Sequence, residues 1–178
     1  MNMQRHDIRH VVSDAPRVMV VDGSKLVRKL IGDVLAKSLP GATVTQAGSV
    51  VAARALLGEG GIDLVTTSLA LPDGDGIAVA EAVRESAGQA YVPVIVVSGE
   101  AQARLEARTL GEEVTDYFDK SLGMEALATF IRGYVVPEPI PGAHVLYVED
   151  SRVVALATKR MLESQSLRVT HMASAEDA

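Results

Sequence analysis

Ile62-Asp63-Leu64-Val65-Thr66-Thr67-Ser68-Leu69-Ala70-Leu71-Pro72-Asp73-Gly74-Asp75-Gly76 is the stretch whose reading decides the fold. It reads as a short strand over residues 63–67, then a tight turn carrying Pro72, Gly74 and Gly76, then a helix over residues 76–85. A strand without polar alternation that passes straight through a turn into a helix belongs in a parallel sheet covered on both faces. Open sheets of that kind place their chemistry at the carboxyl ends of the strands. The residue at that lip is Ser68.

Working outward, the same beat recurs. Residues 17–21 form a compact β-branched run, and Asp22-Gly23-Ser24 closes it with Ser24 placed to cap a helix. Leu26, Val27, Leu30, Ile31, Val34 and Leu35 recur at three- and four-residue spacing and predict one buried helix face, which Pro40-Gly41 stops. A strand over 42–46, a helix over 49–57 and the break Gly58-Glu59-Gly60-Gly61 lead to the central strand. Beyond it the pattern predicts a strand over 92–97, a helix over 100–110, a strand over 114–118 and a helix over 124–134. Five strands, each followed by a helix across short connections, require right-handed crossovers and parallel pairing. The expected fold is therefore an α/β, flavodoxin-like doubly wound five-stranded parallel sheet with helices on both faces. Its most apolar strands, the first, third and fourth, belong at the centre, which brings Asp22, Ser68 and Ser98 to one crevice.

The beginning of the chain then repeats. Val145-Leu146-Tyr147-Val148-Glu149-Asp150-Ser151-Arg152 lines up with Val18-Met19-Val20-Val21-Asp22-Gly23-Ser24-Lys25, and residues 167–172 line up with the second strand. Between the copies, Pro137, Pro139 and Pro141 favour a stiff, extended connector. The expected organisation is a tail over 1–15, a complete domain over 16–136, a Pro-rich linker over 137–142 and an incomplete second copy over 143–178. Two strands and about one helix bury too little apolar surface to close a doubly wound core.

Composition narrows the function. The chain has 178 residues, 48% of them apolar, and a net charge of −6 without a basic stripe, which argues against direct binding of nucleic acid. Cysteine is absent, so disulfides, thiolate catalysis and Cys-ligated zinc are excluded. No apolar run approaches the ~20 residues that span a bilayer, and residues 1–15 lack the apolar core of a secretion signal, so no membrane contact and a cytoplasmic location are expected. His6, His10, His144 and His171 show no metal-ligand spacing. Asp73-Gly74-Asp75-Gly76 lacks the ligand spacing of a calcium loop and reads as a turn and helix start. No glycine-rich phosphate loop follows any strand, which speaks against a nucleotide.

Several short motifs, each on a predicted strand end, point the same way. They are the loop Leu71-Pro72-Asp73-Gly74-Asp75-Gly76, the acidic positions Asp22-Gly23 and Glu149-Asp150, Ser98-Gly99, and Tyr117 three residues before Lys120 in Asp116-Tyr117-Phe118-Asp119-Lys120. Together and in this order they resemble the bacterial response-regulator receiver domain, completely over residues 17–135 and in part over 144–178. The resemblance implies tandem receivers, the first degenerate and the second truncated. It also implies that Ser68 stands where the family carries its phosphoacceptor aspartate, and that Ser121 replaces the usual proline after the lysine. By the same resemblance Ser98, Tyr117 and Lys120 occupy the switch positions, while Asp22 in the first copy and Glu149 and Asp150 in the second occupy metal-holding positions.

Phosphoryl transfer from a phosphohistidine needs a carboxylate nucleophile, in-line positioning and a cation, because positioning and electrostatics supply nearly all the catalysis. Ser68 offers a hydroxyl with no evident general base, and Gly23 and Ser68 remove two oxygen ligands from a magnesium site. No catalytic residue and no cofactor are expected in the first copy, and Mg²⁺ only in the second. Lys120 is expected to pair with Asp22 as a structural contact. The expected function is a non-enzymatic regulatory module of a two-component phosphorelay, acting in dimerisation or docking. The alternative is an active phosphotransfer protein whose second receiver is the acceptor domain, upstream of an output domain such as a cyclic-di-GMP enzyme. Expected partners are a sensor histidine kinase or phosphotransfer protein, the protein's own output domain and a second copy of itself.

Overall fold

The computed structural model describes residues 15–99, 111–136, 143–164 and 167–176. Most of the expected tail over 1–15, the helix expected over 100–110 and the linker over 137–142 lie outside the described residues. The chain divides near residue 137 into two compact units.

In the first unit, strands β1 (Arg17–Val21), β2 (Thr43–Ala47), β3 (Leu64–Thr67), β4 (Val94–Val97) and β5 (Asp116–Phe118) form one sheet in the order β2-β1-β3-β4-β5. Every pairing is parallel, with Val18 opposite Val44 and Leu64, Thr66 opposite Ile95, and Val96 opposite Tyr117. Val18, Met19, Val20 and Val21 are all buried, as are all four residues of β3 and of β4, because helices cover both faces. On one face Val18, Val20, Leu64, Ile95 and Val97 pack with Ile31 and Leu35 of α1 (Lys25–Ser38) and Leu127 and Ile131 of α4 (Met124–Val135). On the other, Met19, Val21 and Val65 pack with Ala53 and Leu57 of α2 (Val50–Glu59) and Val79, Ala80 and Val83 of α3 (Ile77–Glu85). Phe118, Phe130 and Tyr134 stack in sequence with centroids 5.4 and 5.5 Å apart, and the Tyr134 hydroxyl donates to Asp116 Oδ2, so α4 is tied to β5 by both apolar and polar contacts. Burial and the neighbouring Asp116 carboxylate push the Tyr134 phenol up to about 12.

Capping follows the expected chemistry. Ser24 Oγ accepts from the Val27 amide and Ser49 Oγ from the Ala52 amide. Helix α2 ends at Gly60 with φ of 75°, a left-handed conformation that suits glycine. One expectation is corrected: Leu26 and Leu30 lie exposed rather than on the buried face of α1. The inward stripe is narrower than the apolar pattern, running through Val27, Ile31, Val34 and Leu35, one residue round the helix from Leu26 and Leu30. β4 and β5 each start two residues later than the pattern suggests.

The second unit is smaller. β6 (His144–Val148) pairs in parallel with β7 (Arg168–Met172), Val145 lying opposite Val169 and Tyr147 opposite His171, and α5 (Arg152–Ser164) connects them. Leu146, Val148, Val154 and Leu156 are exposed.

Candidate functional site at the carboxyl edge of the sheet

The strand ladders bring the ends of β1, β3, β4 and β5 to one edge. The Ser68 amide donates to Val21 O at 2.9 Å, the Asp22 amide to Ala47 O at 3.2 Å and the Ser98 amide to Phe118 O at 3.1 Å. Asp22, Ser68 and Ser98 are buried polar residues on that edge, as the strand pattern predicts. Tyr117 is half-buried and packs against Leu69 and Val96.

Asp22 is the centre of the site. Its Oδ1 accepts the Ser24 amide at 2.8 Å and its Oδ2 accepts Lys120 Nζ at 2.7 Å. The Arg28 guanidinium, reaching back from α1 across Gly48, donates to the Asp22 carbonyl. Lys120 is presented by a short 3₁₀ turn (Lys120–Leu122) that begins after β5, where Asp119 Oδ1 caps the Ser121 amide at 2.8 Å. Hydrogen bonds from Ser121 hold the Asp119 carboxyl below the usual carboxylate range. The pairing of Lys120 with Asp22 is as the sequence suggests.

The loop after β3 returns tightly on Ser68. Ala70–Leu71 pairs antiparallel with Gly74–Asp75, and the Gly76 amide donates to Leu69 O at 2.8 Å. A Cβ on Gly76 would stand 2.0 Å from the Ser68 carbonyl oxygen, so only glycine fits there. Asp75 Oδ1 accepts the Ile77 amide at 3.0 Å, and Asp73 accepts the amides of Val50 and Val51 at 2.8 and 3.0 Å. The acidic loop is thus a helix-capping device: Asp75 serves α3 and Asp73 serves α2. The amides of Val51 and Val50 hold the exposed Asp73 carboxyl below its ordinary value.

Sequence reasoning missed this long-range cap, since nothing local to Val50 announces a partner 23 residues on. It also missed Gln89. That buried amide accepts from the Ile62 amide at 2.9 Å and donates to Leu57 O at 2.9 Å and Ser86 Oγ at 3.0 Å, joining the end of α2, the entry to β3 and the end of α3. A third feature is Thr66, whose buried hydroxyl has no hydrogen-bond partner among the described residues.

In the second unit the acidic pair is arranged differently. Glu149 is half-buried, its Oε1 accepting the Ser151 amide at 2.9 Å and its carbonyl accepting from His171 Nε2 at 2.8 Å, while Asp150 is exposed. Among the described residues no group of three or more Asp, Glu or His side chains is placed to hold a metal ion. Among the described residues the donor set at the first crevice is one carboxylate, Asp22, with both oxygens engaged. Gly23 and the Ser68 hydroxyl add no charge, so these residues do not fit a divalent cation.

Comparison with known proteins places this architecture. The model of the response regulator receiver domain matches residues 18–132. Among curated proteins, the chain is 28% identical over 154 residues to the sensor histidine kinase TmoS of Ectopseudomonas mendocina, covering 86% of this chain and 16% of that protein. It is 31% identical over 129 residues to a protein-glutamate methylesterase/protein-glutamine glutaminase of Trichodesmium erythraeum, covering 68% of this chain and 36% of that protein. The chain therefore spans well under half the length of these relatives. Among solved structures, the chemotaxis response regulator CheY4 of Vibrio cholerae superposes with a TM-score of 0.59 at 20% identity, over 68% of this chain and 99% of that one. The receiver domain of sensor histidine kinase PA1611 from Pseudomonas aeruginosa, which holds a magnesium ion in its active-site cleft, gives 0.58 at 19% identity, over 67% of this chain and 97% of that one. No helix among the described residues is long and apolar enough to cross a membrane. With a parallel sheet in the order β2-β1-β3-β4-β5 and the family model matching most of its length, this chain belongs to the response regulator receiver domain family.

Proposed function

We propose that the chain is a non-enzymatic regulatory module of a two-component phosphorelay whose first receiver, residues 16–136, accepts no phosphoryl group and acts by docking or dimerisation. The observation that carries this reading is the state of the crevice: a neutral hydroxyl at Ser68, no side chain at Gly23, and Asp22 bonded to Lys120 at 2.7 Å. Phosphoryl transfer from a phosphohistidine to a receiver uses a carboxylate nucleophile and a cation in place, and this arrangement supplies neither. Ser98 and Tyr117 then have no phosphate to respond to, so nothing drives a switch between two states.

Residues 143–178 are read as the front of a second receiver, joined through the linker over 137–142. Matching hydrogen bonds support the repeat. The Ser24 amide binds Asp22 as the Ser151 amide binds Glu149, Asp22 N meets Ala47 O as Glu149 N meets Met172 O, and Thr43 N meets Pro16 O as Arg168 N meets Ala143 O. In the second reading this copy is the phosphoacceptor domain, with Glu149 and Asp150 as its magnesium-holding pair. What favours it is that both carboxylates stand at the strand end where the first copy has kept one. In either reading the partners are a sensor histidine kinase or phosphotransfer protein, an output domain and, for a docking scaffold, a second copy, in the cytoplasm.

The test is incubation of the full chain with a small acyl-phosphate donor and Mg²⁺, followed by intact and peptide mass spectrometry. The peptide containing Ser68 is expected to gain no phosphate. Stoichiometric phosphorylation within residues 16–136 would overturn the reading.

A further inference from the structure

We infer that the cleft between the edge strand β2 and the end of α2 binds a small zwitterion, an α-amino acid with a short aliphatic side chain. The cleft encloses about 140 Å³ at the amino-terminal ends of β1 and β3. That is the opposite edge of the sheet from Asp22, Ser68 and Ser98, so binding here is independent of phosphoryl chemistry. Arg17 stands beside Thr43 in the strand ladder, and Thr45, two residues on, shares the face of β2 that lies toward α2. Leu56 of α2 and the buried Ile62 give the cleft an apolar wall, and Glu59 closes it from the last turn of α2. The polar groups are thus one guanidinium, two hydroxyls and one carboxylate, and none of these four side chains makes a hydrogen bond or ion pair among the described residues. A few convergent polar groups against an apolar wall is the ordinary make-up of a small-molecule site.

The end of α2 supplies the second, independent observation. A helix carboxyl terminus carries partial negative charge, which a cation in the last turn offsets. Lys37 does this for α1, Arg84 for α3 and Arg132 for α4. Helix α2 has no basic residue in its last turn and ends on Glu59, so two negative features meet there with no cation of the chain to answer them. A ligand ammonium set against Glu59 answers both. On the other side of the cleft, the fork of the Arg17 guanidinium matches a carboxylate, and the hydroxyls of Thr43 and Thr45 can donate to it or accept from the ammonium. A lone anion or a lone cation would leave one of the two charges unanswered. The volume admits few atoms, so both complementary charges belong on one small molecule, and a nucleotide is too large.

The test titrates the isotopically labelled full chain with L-valine and reads the amide resonances of Thr45, Gly60 and Ile62. Saturable shifts at these positions are expected, with half-saturation in the millimolar range, while Ser68 and Ser98 stay where they are. N-acetyl-L-valine, which lacks the ammonium, and L-valinamide, which lacks the carboxylate, are each expected to bind about tenfold more weakly. Glu59→Gln is expected to abolish the preference for L-valine over N-acetyl-L-valine and to keep the preference over L-valinamide. Arg17→Gln is expected to do the reverse. Both side chains are exposed, and the Arg17 amide that Asp63 accepts is kept in the variant. Should either variant fail to fold, the two blocked analogues on the wild type decide alone. Shifts that rise without saturation, or equal affinity for all three molecules, would overturn the inference and leave the reading of the carboxyl edge standing.

Discussion

Met19 and Leu146 hold the same place in two strands that each end in an acidic turn, and each lies opposite a threonine of its neighbour, Thr45 and Thr170. Met19 is 0% exposed and Leu146 53%; Val21 and Val148, two residues on, are 1% and 43%. The sequence signal at the four positions is the same. What differs is cover, for the face carrying Met19 and Val21 meets α2 and α3, whereas the second unit has one helix for two strands. The contrast extends to chemistry in the opposite sense. The larger unit has Asp22 followed by Gly23 at the end of β1, and the smaller unit has Glu149 followed by Asp150 at the end of β6. Fold and function are separable here, because the strand-end turn is set by local hydrogen bonds that both units make, while burial and catalysis depend on parts brought from elsewhere.

The comparison is broken most directly by truncation. Met19→Ala is expected to cost about 3 kcal/mol in urea unfolding of the full chain, through lost burial and a cavity. Leu146→Ala should cost about 0.5 kcal/mol or less, as exposed sites do. Equal losses would mean that the second unit's apolar face is covered in solution. Next in size is Gln89→Ala, expected to cost about 2 kcal/mol by the same measurement, since it removes a buried side chain that accepts the Ile62 amide and bridges three elements. Thr66→Val should act in the opposite direction, stabilising by about 1 kcal/mol, because the buried hydroxyl it removes has no partner among the described residues. A loss of stability on that change would show that the hydroxyl is satisfied in solution.

The smallest effect is a pH dependence. The Asp73 carboxyl titrates lower in the folded chain than in the unfolded one, so its contribution is complete above its ordinary value of 3.8 and lost as pH falls through the depressed folded value. Wild-type stability measured on descending through pH 4 should therefore fall more steeply than that of Asp73→Asn. Parallel curves would remove the cap of α2 from the account.

Much of this was legible in the residues and some was not. The order of strands and helices could be read because the β-branched runs at 18–21 and 94–97 and the capping serines 24 and 49 act locally. The crevice followed from topology, since parallel strands carry Asp22, Ser68 and Ser98 to one edge whatever their side chains do. The pairing of Asp22 with Lys120 could be anticipated once Ser68 left the lysine without a carboxylate at that position. Asp73 on α2, Arg28 on the Asp22 carbonyl and Gln89 among three elements join residues far apart or in loops, where no periodicity marks a partner. Leu26 and Leu30 show the limit of apolar spacing, since it marks a stripe but not how much of it the sheet can cover.

The proposal that residues 16–136 accept no phosphoryl group is tested most directly by beryllofluoride, which mimics a phosphoryl group bound to aspartate. With the full chain, Mg²⁺ and beryllofluoride, the amide resonances of Ser68, Ser98 and Tyr117 are expected to stay where they are in Mg²⁺ alone. A stoichiometric adduct that moves Ser98 and Tyr117 together would contradict the account.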